Sequence, residues 1–258
     1  MGWGMDQNQR VIISVYRGTP SNQSWEDFFL DPMDGENVIS ALMRLRKNPI
    51  NIHGKRVTPI VWEDGCLEEV CGSCSMLING VPRQACTALI SELTQKSTTI
   101  KLAPLSKFPL VRDLVVDRTS MFESLKRVSA WIEVDDLRDP VEVPAISAKR
   151  QDLRYQLSTC MTCGCCSESC PQVNDKSSFM GPAPIAQGHL FNLHPVGAAS
   201  KDERLDAMKR EGGIHSCANA QNCVRVCPKG IPLTQAIGAI SKDVTRFSFR
   251  KLFGLSVE

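Results

Sequence analysis

Residues 10–16, Arg-Val-Ile-Ile-Ser-Val-Tyr, are β-rich with an alternating pattern, which predicts a strand. Val38, Leu42 and Leu45 recur at helical spacing, and Asn48-Pro49 ends that segment because the residue before proline avoids the helical region. Thr58 to Trp62 reads as another strand. Ser75 to Ile78 reads as a strand entering Asn79-Gly80, a strong hairpin signal, and Thr98 to Leu102 as a short final strand. Several strands with one crossing helix predict a small mixed sheet.

The pattern changes after Pro104. Ser120 and Glu123 are spaced as a capping box, with Met121, Phe122, Leu125 and Val128 as an apolar stripe behind it. Ile185, His189, Leu190 and Leu193 share one helical face. Asp202 to Glu211 is helical and stops at Gly212-Gly213, and Leu233, Ile237, Ile240 and Val244 form a third stripe. The fold class is therefore α+β. A boundary falls between 104 and 118, which divides the chain into domains of residues 1–110 and 111–258.

Composition narrows the function classes. The chain has 258 residues, 42% of them hydrophobic, so it can bury an ordinary core. Its 30 basic and 28 acidic side chains leave a net charge of +2, which argues against general nucleic-acid binding. No run of about 18 apolar residues occurs, so no segment is expected to span a bilayer. The stretch from Met1 to Arg10 has no apolar h-region, and Asp6 stands where a myristoylation motif wants Ser or Thr. The expected location is the cytoplasmic side.

Twelve cysteines change the picture most. In a reducing compartment they are poor disulfide candidates, and their clustering points to metal ligation. Cys66, Cys71, Cys74 and Cys86 have the plant-type [2Fe–2S] spacing, C-x4-C-x2-C with a distant fourth. Counting outward from Asn79-Gly80, Cys74 faces Ala85 and Cys86 faces Ser73, which returns the fourth thiolate beside the other three. Gly65 and Gly72 leave room for backbone N–H groups to approach the sulfurs. The alternative is a four-cysteine zinc site, although zinc loops favour paired knuckles.

Cys160, Cys163, Cys166 and Cys170 with Pro171 spell C-x2-C-x2-C-x3-C-P, and the pattern recurs as Cys217, Cys223, Cys227 and Pro228. In two-cluster ferredoxins the fourth cysteine of such a run ligates the other cluster. By that rule Cys160, Cys163, Cys166 and Cys227 hold a [4Fe–4S] cluster. Cys170, Cys217 and Cys223 remain for the second site, where the position matching Cys163 is Ala220. Three thiolates imply a [3Fe–4S] cluster, the alternative being water or hydroxide on a fourth iron. The two centres should then differ in potential, through cluster charge. Cys165 fits neither pattern and reads as a small apolar side chain that ligates nothing. His53, His189, His194 and His215 form no Cys-x-His box of Rieske kind and read as structural or exposed, with His215 near enough to Cys217 in sequence to tune a cluster. No activated nucleophile, phosphate loop or dinucleotide turn is present, so no catalytic residue is assigned.

This arrangement resembles the iron–sulfur subunit of succinate dehydrogenase and fumarate reductase, respiratory complex II, over nearly the full chain. The resemblance rests on Cys66-Leu-Glu-Glu-Val-Cys71-Gly-Ser-Cys74 with Cys86, on Asp113-Leu-Val-Val-Asp117, on Cys160 through Pro171, and on Cys217 through Gly230. It implies an N-terminal β-grasp domain and an α-helical ferredoxin-like domain. It implies electrons passing from covalently bound FAD in a flavoprotein partner through [2Fe–2S], [4Fe–4S] and [3Fe–4S] to a membrane-anchor cytochrome b and quinone. The chain would carry electrons without binding the dicarboxylate, as a peripheral subunit on the cytoplasmic face of the inner (plasma) membrane. Ubiquinone-reducing members have a tryptophan pair and a histidine where this chain has Asn174, Asp175 and Ala218. The run Pro171-Gln172-Val173-Asn174 is more similar to the branch with a single dihaem anchor and menaquinone. A subunit serving another fumarate reductase, quinol- or thiol-driven, is the alternative, and the absence of a further cysteine-rich region after Cys227 counts against the thiol-driven form. A zinc-stabilised interaction module is the non-redox alternative. The stretch Arg246 to Phe253 mixes basic and aromatic residues, as a membrane-facing segment or an ordinary solvated tail would.

Overall fold

The structure is a computed structural model and describes residues 10–132 and 145–254; the polar start read as lacking a leader lies, apart from Arg10, outside the described residues. The chain forms two compact units. One is built from Met1–Arg118 with Cys163–Glu168, the other from Thr119–Thr162 with Ser169–Glu258, each over its described part.

In the first unit, β1 (Val11–Thr19) and β2 (Asn22–Leu30) form an antiparallel hairpin from Val11 opposite Leu30 to Thr19 opposite Asn22. The helix α1 (Val38–Lys47) follows, capped by Asn37, whose Oδ1 accepts from Ser40 N at 2.9 Å while Asn37 N donates to Ser40 Oγ at 3.0 Å. Next come β3 (Ser75–Ile78), β4 (Val81–Gln84), the short helix α2 (Ile90–Leu93) and β5 (Thr99–Ala103). The sheet order is β2-β1-β5-β3-β4, with β1 and β5 parallel and every other pair antiparallel. Val38, Ile39, Ala41, Leu42 and Leu45 of α1 join Val11, Ile13, Val15, Ile100 and Leu102 of the sheet in one core, which is the small mixed sheet expected. A two-stranded ribbon, β6 (Leu110–Arg112) and β7 (Val115–Val116), closes the continuous part of this unit.

Thr58 to Trp62 is not a strand. Its polar backbone is satisfied by side chains instead of a ladder. Arg17 Nη1 donates to Thr58 O at 2.9 Å, Arg17 Nη2 donates to Pro59 O at 3.3 Å, and Val61 N donates to Asp113 Oδ2 at 2.9 Å.

The second unit is helical. Its elements are α3 (Thr119–Arg127), α4 (Ala148–Ser158), α6 (Pro182–Leu193), α7 (Lys201–Lys209), α8 (Asn222–Arg225) and α9 (Leu233–Phe253); the one-turn helix α5 (Cys165–Glu168) belongs to the first unit. Val128, Ile185, Leu205, Met208, Ile237, Ile240 and Val244 form its core. Arg204 is almost wholly buried and closes the irregular segment after α3. Its Nε donates to Ser129 O at 2.9 Å and its Nη2 to Trp131 O at 2.8 Å. The expected capping box does not form, because α3 already includes Ser120 and Glu123 pairs with Lys126 at 2.7 Å. Phe122, placed in the apolar stripe, is exposed. Residues 246–253 are the last turns of α9, with Phe247 buried and Phe249, Leu252 and Phe253 exposed. Among the described residues no helix is long and apolar enough to cross a membrane.

Candidate iron–sulfur sites

The first cysteine group sits on a loop whose backbone turns inward. Leu67, Glu69 and Gly72 have φ of 62°, 56° and 75°, left-handed values that aim successive N–H groups toward one side. Three N–H groups converge on Cys66 Sγ: Glu68 N at 3.3 Å, Val70 N at 3.2 Å and Cys71 N at 3.3 Å. Cys71 Sγ accepts from Cys66 N at 3.4 Å and Ser73 N at 3.5 Å. A Cβ at Gly65 would lie 3.3 Å from Cys71 Sγ, so the missing side chain does leave room for the sulfur. The Ser73 hydroxyl, ahead of the N–H groups of Cys66 and Ser73, lowers the Cys71 thiol to about 6.

The hairpin register is the one counted from Asn79-Gly80. Ser75 pairs with Gln84, and Ala85 N donates to Cys74 O at 3.1 Å. Cys86 lies in the turn Ala85–Thr87 that follows, and both Cys74 and Cys86 are buried. Burial first, then the neighbouring Cys86, pushes the Cys74 thiol up to about 12. A buried sulfur of this kind favours a partner that removes its proton and shares its charge, which an iron cluster does.

Around Cys74 lies a polar network that cysteine counting missed. Gln84 is fully buried. Its Oε1 accepts from Cys74 Sγ at 3.4 Å, and its Nε2 donates to Ser75 Oγ at 2.8 Å and to Cys165 Sγ at 3.7 Å. Ser75 Oγ in turn donates to Gly72 O at 2.7 Å. Arg118 Nη1 donates to Gly72 O at 2.8 Å and its Nη2 to Glu63 Oε2 at 2.9 Å. No spacing rule marks Gln84 or Arg118.

The structure places Cys163 and Cys166 in the first unit, both buried, and Cys160 and Cys227 in the second, both half-buried. Left-handed Thr162 and Gly164, with φ of 50° and 87°, bend the chain about Cys163. A hydrogen bond from the Cys165 thiol, ahead of the Arg118 charge, lowers the Cys163 thiol to about 7, and the same bond with burial holds the Cys165 proton in place. Glu168 anchors this segment. Its Oε1 accepts from Ser106 Oγ at 2.6 Å and its Oε2 from Lys107 N at 3.0 Å.

Cys170, Cys217 and Cys223 line one recess in the second unit. Phe179, Pro182 and Ile237 give it apolar walls, and Ala218, Ala220 and Gln221 also line it. Asn219 and Gln221 have φ of 54° and 61°, which turns the loop about Ala220, and Asn222 Nδ2 ties it to Ser169 O at 3.1 Å. Burial, then the charges of Cys170 and Cys217, raises the Cys223 thiol. Three cysteines thus line the same space as Ala218 and Ala220, which offer no donor, a set that fits a cluster with three thiolate ligands. Among the described residues no three His, Cys, Asp or Glu side chains close around a single-ion position. None of the four histidines lines this recess. His189 is buried in α6, and His194 Nδ1 accepts from Val196 N at 3.2 Å.

Residues 12–123 match the family described as a 2Fe-2S iron-sulfur cluster binding domain, and residues 156–231 match the 4Fe-4S dicluster domain. The chain is 53% identical to the succinate dehydrogenase iron-sulfur subunit of Bacillus subtilis, covering 95% of this chain and 96% of that protein. It is 35% identical to the fumarate reductase iron-sulfur subunit of Escherichia coli, covering 90% and 91%. Its fold is shared with a chain of the Mycobacterium smegmatis Sdh1 complex in the apo form, at a TM-score of 0.80 and 24% identity over 93% of this chain and 97% of that one. With this likeness spanning both cysteine-bearing regions, the chain belongs to the family of succinate dehydrogenase and fumarate reductase iron–sulfur subunits.

Proposed function

We propose that this chain is the electron-transfer subunit of a succinate:quinone oxidoreductase. Bound clusters supply one-electron carriers between the flavin of a partner and a quinone reached through a membrane anchor. Cys66, Cys71, Cys74 and Cys86 hold the [2Fe–2S] cluster, and Cys160, Cys163, Cys166 and Cys227 the [4Fe–4S] cluster. Cys170, Cys217 and Cys223 hold the [3Fe–4S] cluster. The recess that gathers the last three cysteines with Ala220 carries the reading, because it offers three thiolates where a four-ligand site needs a fourth donor. The protein's own contribution is to exclude water at Cys74, Cys86 and Cys223 and to aim N–H groups at Cys66 and Cys71.

The partners in this reading are an FAD-containing flavoprotein subunit and a dihaem cytochrome b anchor serving menaquinone, with the chain peripheral at the cytoplasmic face of the membrane. Asn174, Asp175 and Ala218, which replace the tryptophan pair and histidine of ubiquinone-reducing members, support that branch. The test is anaerobic purification of the chain with its partners, metal analysis, and electron paramagnetic resonance before and after succinate. A [3Fe–4S] signal that succinate removes as a [2Fe–2S] signal appears supports the proposal. Stoichiometric zinc, or clusters indifferent to succinate, overturns it.

A further inference from the structure

Two helices of the second unit begin at the recess lined by Cys170, Cys217 and Cys223. Pro182, the first residue of α6, and Thr234, the second of α9, both line it. The positive end of a helix ordinarily meets a capping side chain or an acidic residue in its first turn. Both of these helices start with no side-chain cap and no Asp or Glu in the first turn, whereas α7 opens with Asp202 and Glu203. Of the two ends at the recess, α9 is the better donor. α6 carries Pro182 and Pro184, which have no N–H. In α9, Leu233 N donates to Ile231 O at 2.7 Å and Ala236 N to Pro232 O at 3.1 Å; Thr234 N and Gln235 N between them have no backbone acceptor among the described residues. Thr234 is also the only hydroxyl-bearing residue among the described residues that line the recess.

We infer that Thr234 and the first turn of α9 cap the cluster held by Cys170, Cys217 and Cys223 and raise its reduction potential. Sulfides and thiolates make such a cluster electron-rich, and one-electron reduction adds a further negative charge. A hydroxyl donor and a helix N-terminus at the site favour the more negative, reduced form, so the potential rises. The same role explains the composition of the turn. A helix whose positive end meets a bound anion has no need of a carboxylate of its own, and a carboxylate there would work against the anion. Val would fill the place of Thr234 with the same shape and no polar group to satisfy, so packing by itself does not call for the hydroxyl.

The inference rests on the three-thiolate assignment above, which iron content and the oxidised [3Fe–4S] signal of the unaltered complex test separately. The experiment is a redox titration of the intact complex, followed by electron paramagnetic resonance, for Thr234→Val, Thr234→Ser and Gln235→Glu. Thr234→Val keeps the shape and removes the hydroxyl. It is expected to lower the [3Fe–4S] reduction constant about tenfold, about 59 mV for one electron, with the [2Fe–2S] potential unmoved. Thr234→Ser keeps the donor and is expected to hold the potential near that of the unaltered chain. Gln235→Glu, at an exposed position, places a carboxylate in the first turn of α9. It is expected to lower the potential while leaving the melting temperature unchanged or higher, because the charge suits the helix end. A [3Fe–4S] potential unmoved in Thr234→Val, or equal shifts in the two Thr234 variants, overturns the inference. Should Thr234→Val fail to assemble, Gln235→Glu decides, and an unmoved potential there overturns the inference as well.

Discussion

Arg17 and Asp113 form a buried ion pair in the first unit, with Arg17 Nε donating to Asp113 Oδ1 at 3.3 Å and Nη2 donating to Oδ2 at 3.4 Å. Asp113 also accepts from Gly18 N and Val61 N, each at 2.9 Å. One carboxylate therefore joins the end of β1, the irregular segment before the first cysteine loop, and the β6–β7 ribbon. Asp113→Ala leaves the buried guanidinium with Glu26 Oε2, at 3.2 Å from Nη1, as its remaining carboxylate and frees two backbone donors. The expected loss is about 3–5 kcal/mol, the range for breaking a buried pair from one side. Chemical denaturation of the isolated chain checks the size, and the double variant with Arg17→Met should recover part of the loss.

Ala220 lies on the rim where the [3Fe–4S] reading leaves one ligand position open. Ala220→Cys adds a thiolate to Cys170, Cys217 and Cys223. The expected outcome is loss of the oxidised [3Fe–4S] signal, gain of a fourth iron per site, and a fall in the site's potential from the added negative charge. Spectra and iron analysis of the purified variant check it. An unchanged oxidised signal would refute the ligand set.

His189 is buried on α6 with no hydrogen-bond partner at Nδ1 among the described residues, and burial lowers its pKa below that of a free imidazole. Asp243 opposes that shift and Lys201 reinforces it. The folded chain thus binds a proton less readily than the unfolded chain. Stability is fully present above the unfolded value of about 6.5 and declines as pH falls below it. Melting temperature between pH 5 and 7 should therefore rise with pH, and His189→Gln should flatten that slope.

Gly212 follows α7 with φ of 72°, and a Cβ there would lie 2.0 Å from Ser178 O. Its own carbonyl accepts from Met180 N at 2.8 Å, next to Phe179 in the recess wall. Gly212→Ala must move that backbone. The expected destabilisation exceeds the ~1 kcal/mol of the left-handed conformation alone, and Gly230→Ala, with φ of 60° and open space around it, serves as the control in the same melting measurement.

What the chain declares locally was readable from its letters. Asn79-Gly80 sets the turn and with it the Cys74–Ala85 alignment, because a tight hairpin leaves no freedom of register. The apolar stripes of α6 and α9 follow the helical period, and α7 ends at its glycines. The rest depends on distant partners. β2 escaped notice because Asn22-Gln23-Ser24 and Glu26-Asp27 give it no continuous apolar face before Phe28; it is an edge strand that pairs along one side only. Thr58 to Trp62 has the residues of a strand, but Arg17 and Asp113, far away in sequence, take its backbone groups. Gln84 looks like any polar residue at the end of a strand until Cys165 arrives beside it.

That arrival has a consequence for biogenesis. Residues 163–168 complete the first unit, yet the ribosome makes them after some forty residues that belong elsewhere. Glu168 cannot meet Ser106, nor Cys165 meet Gln84, until that stretch has emerged. Folding during synthesis, which otherwise proceeds from the N-terminus unit by unit, must here wait. A nascent chain cut at Arg118 is therefore an unfinished half-product, with the polar side chain of Gln84 lacking one of its partners.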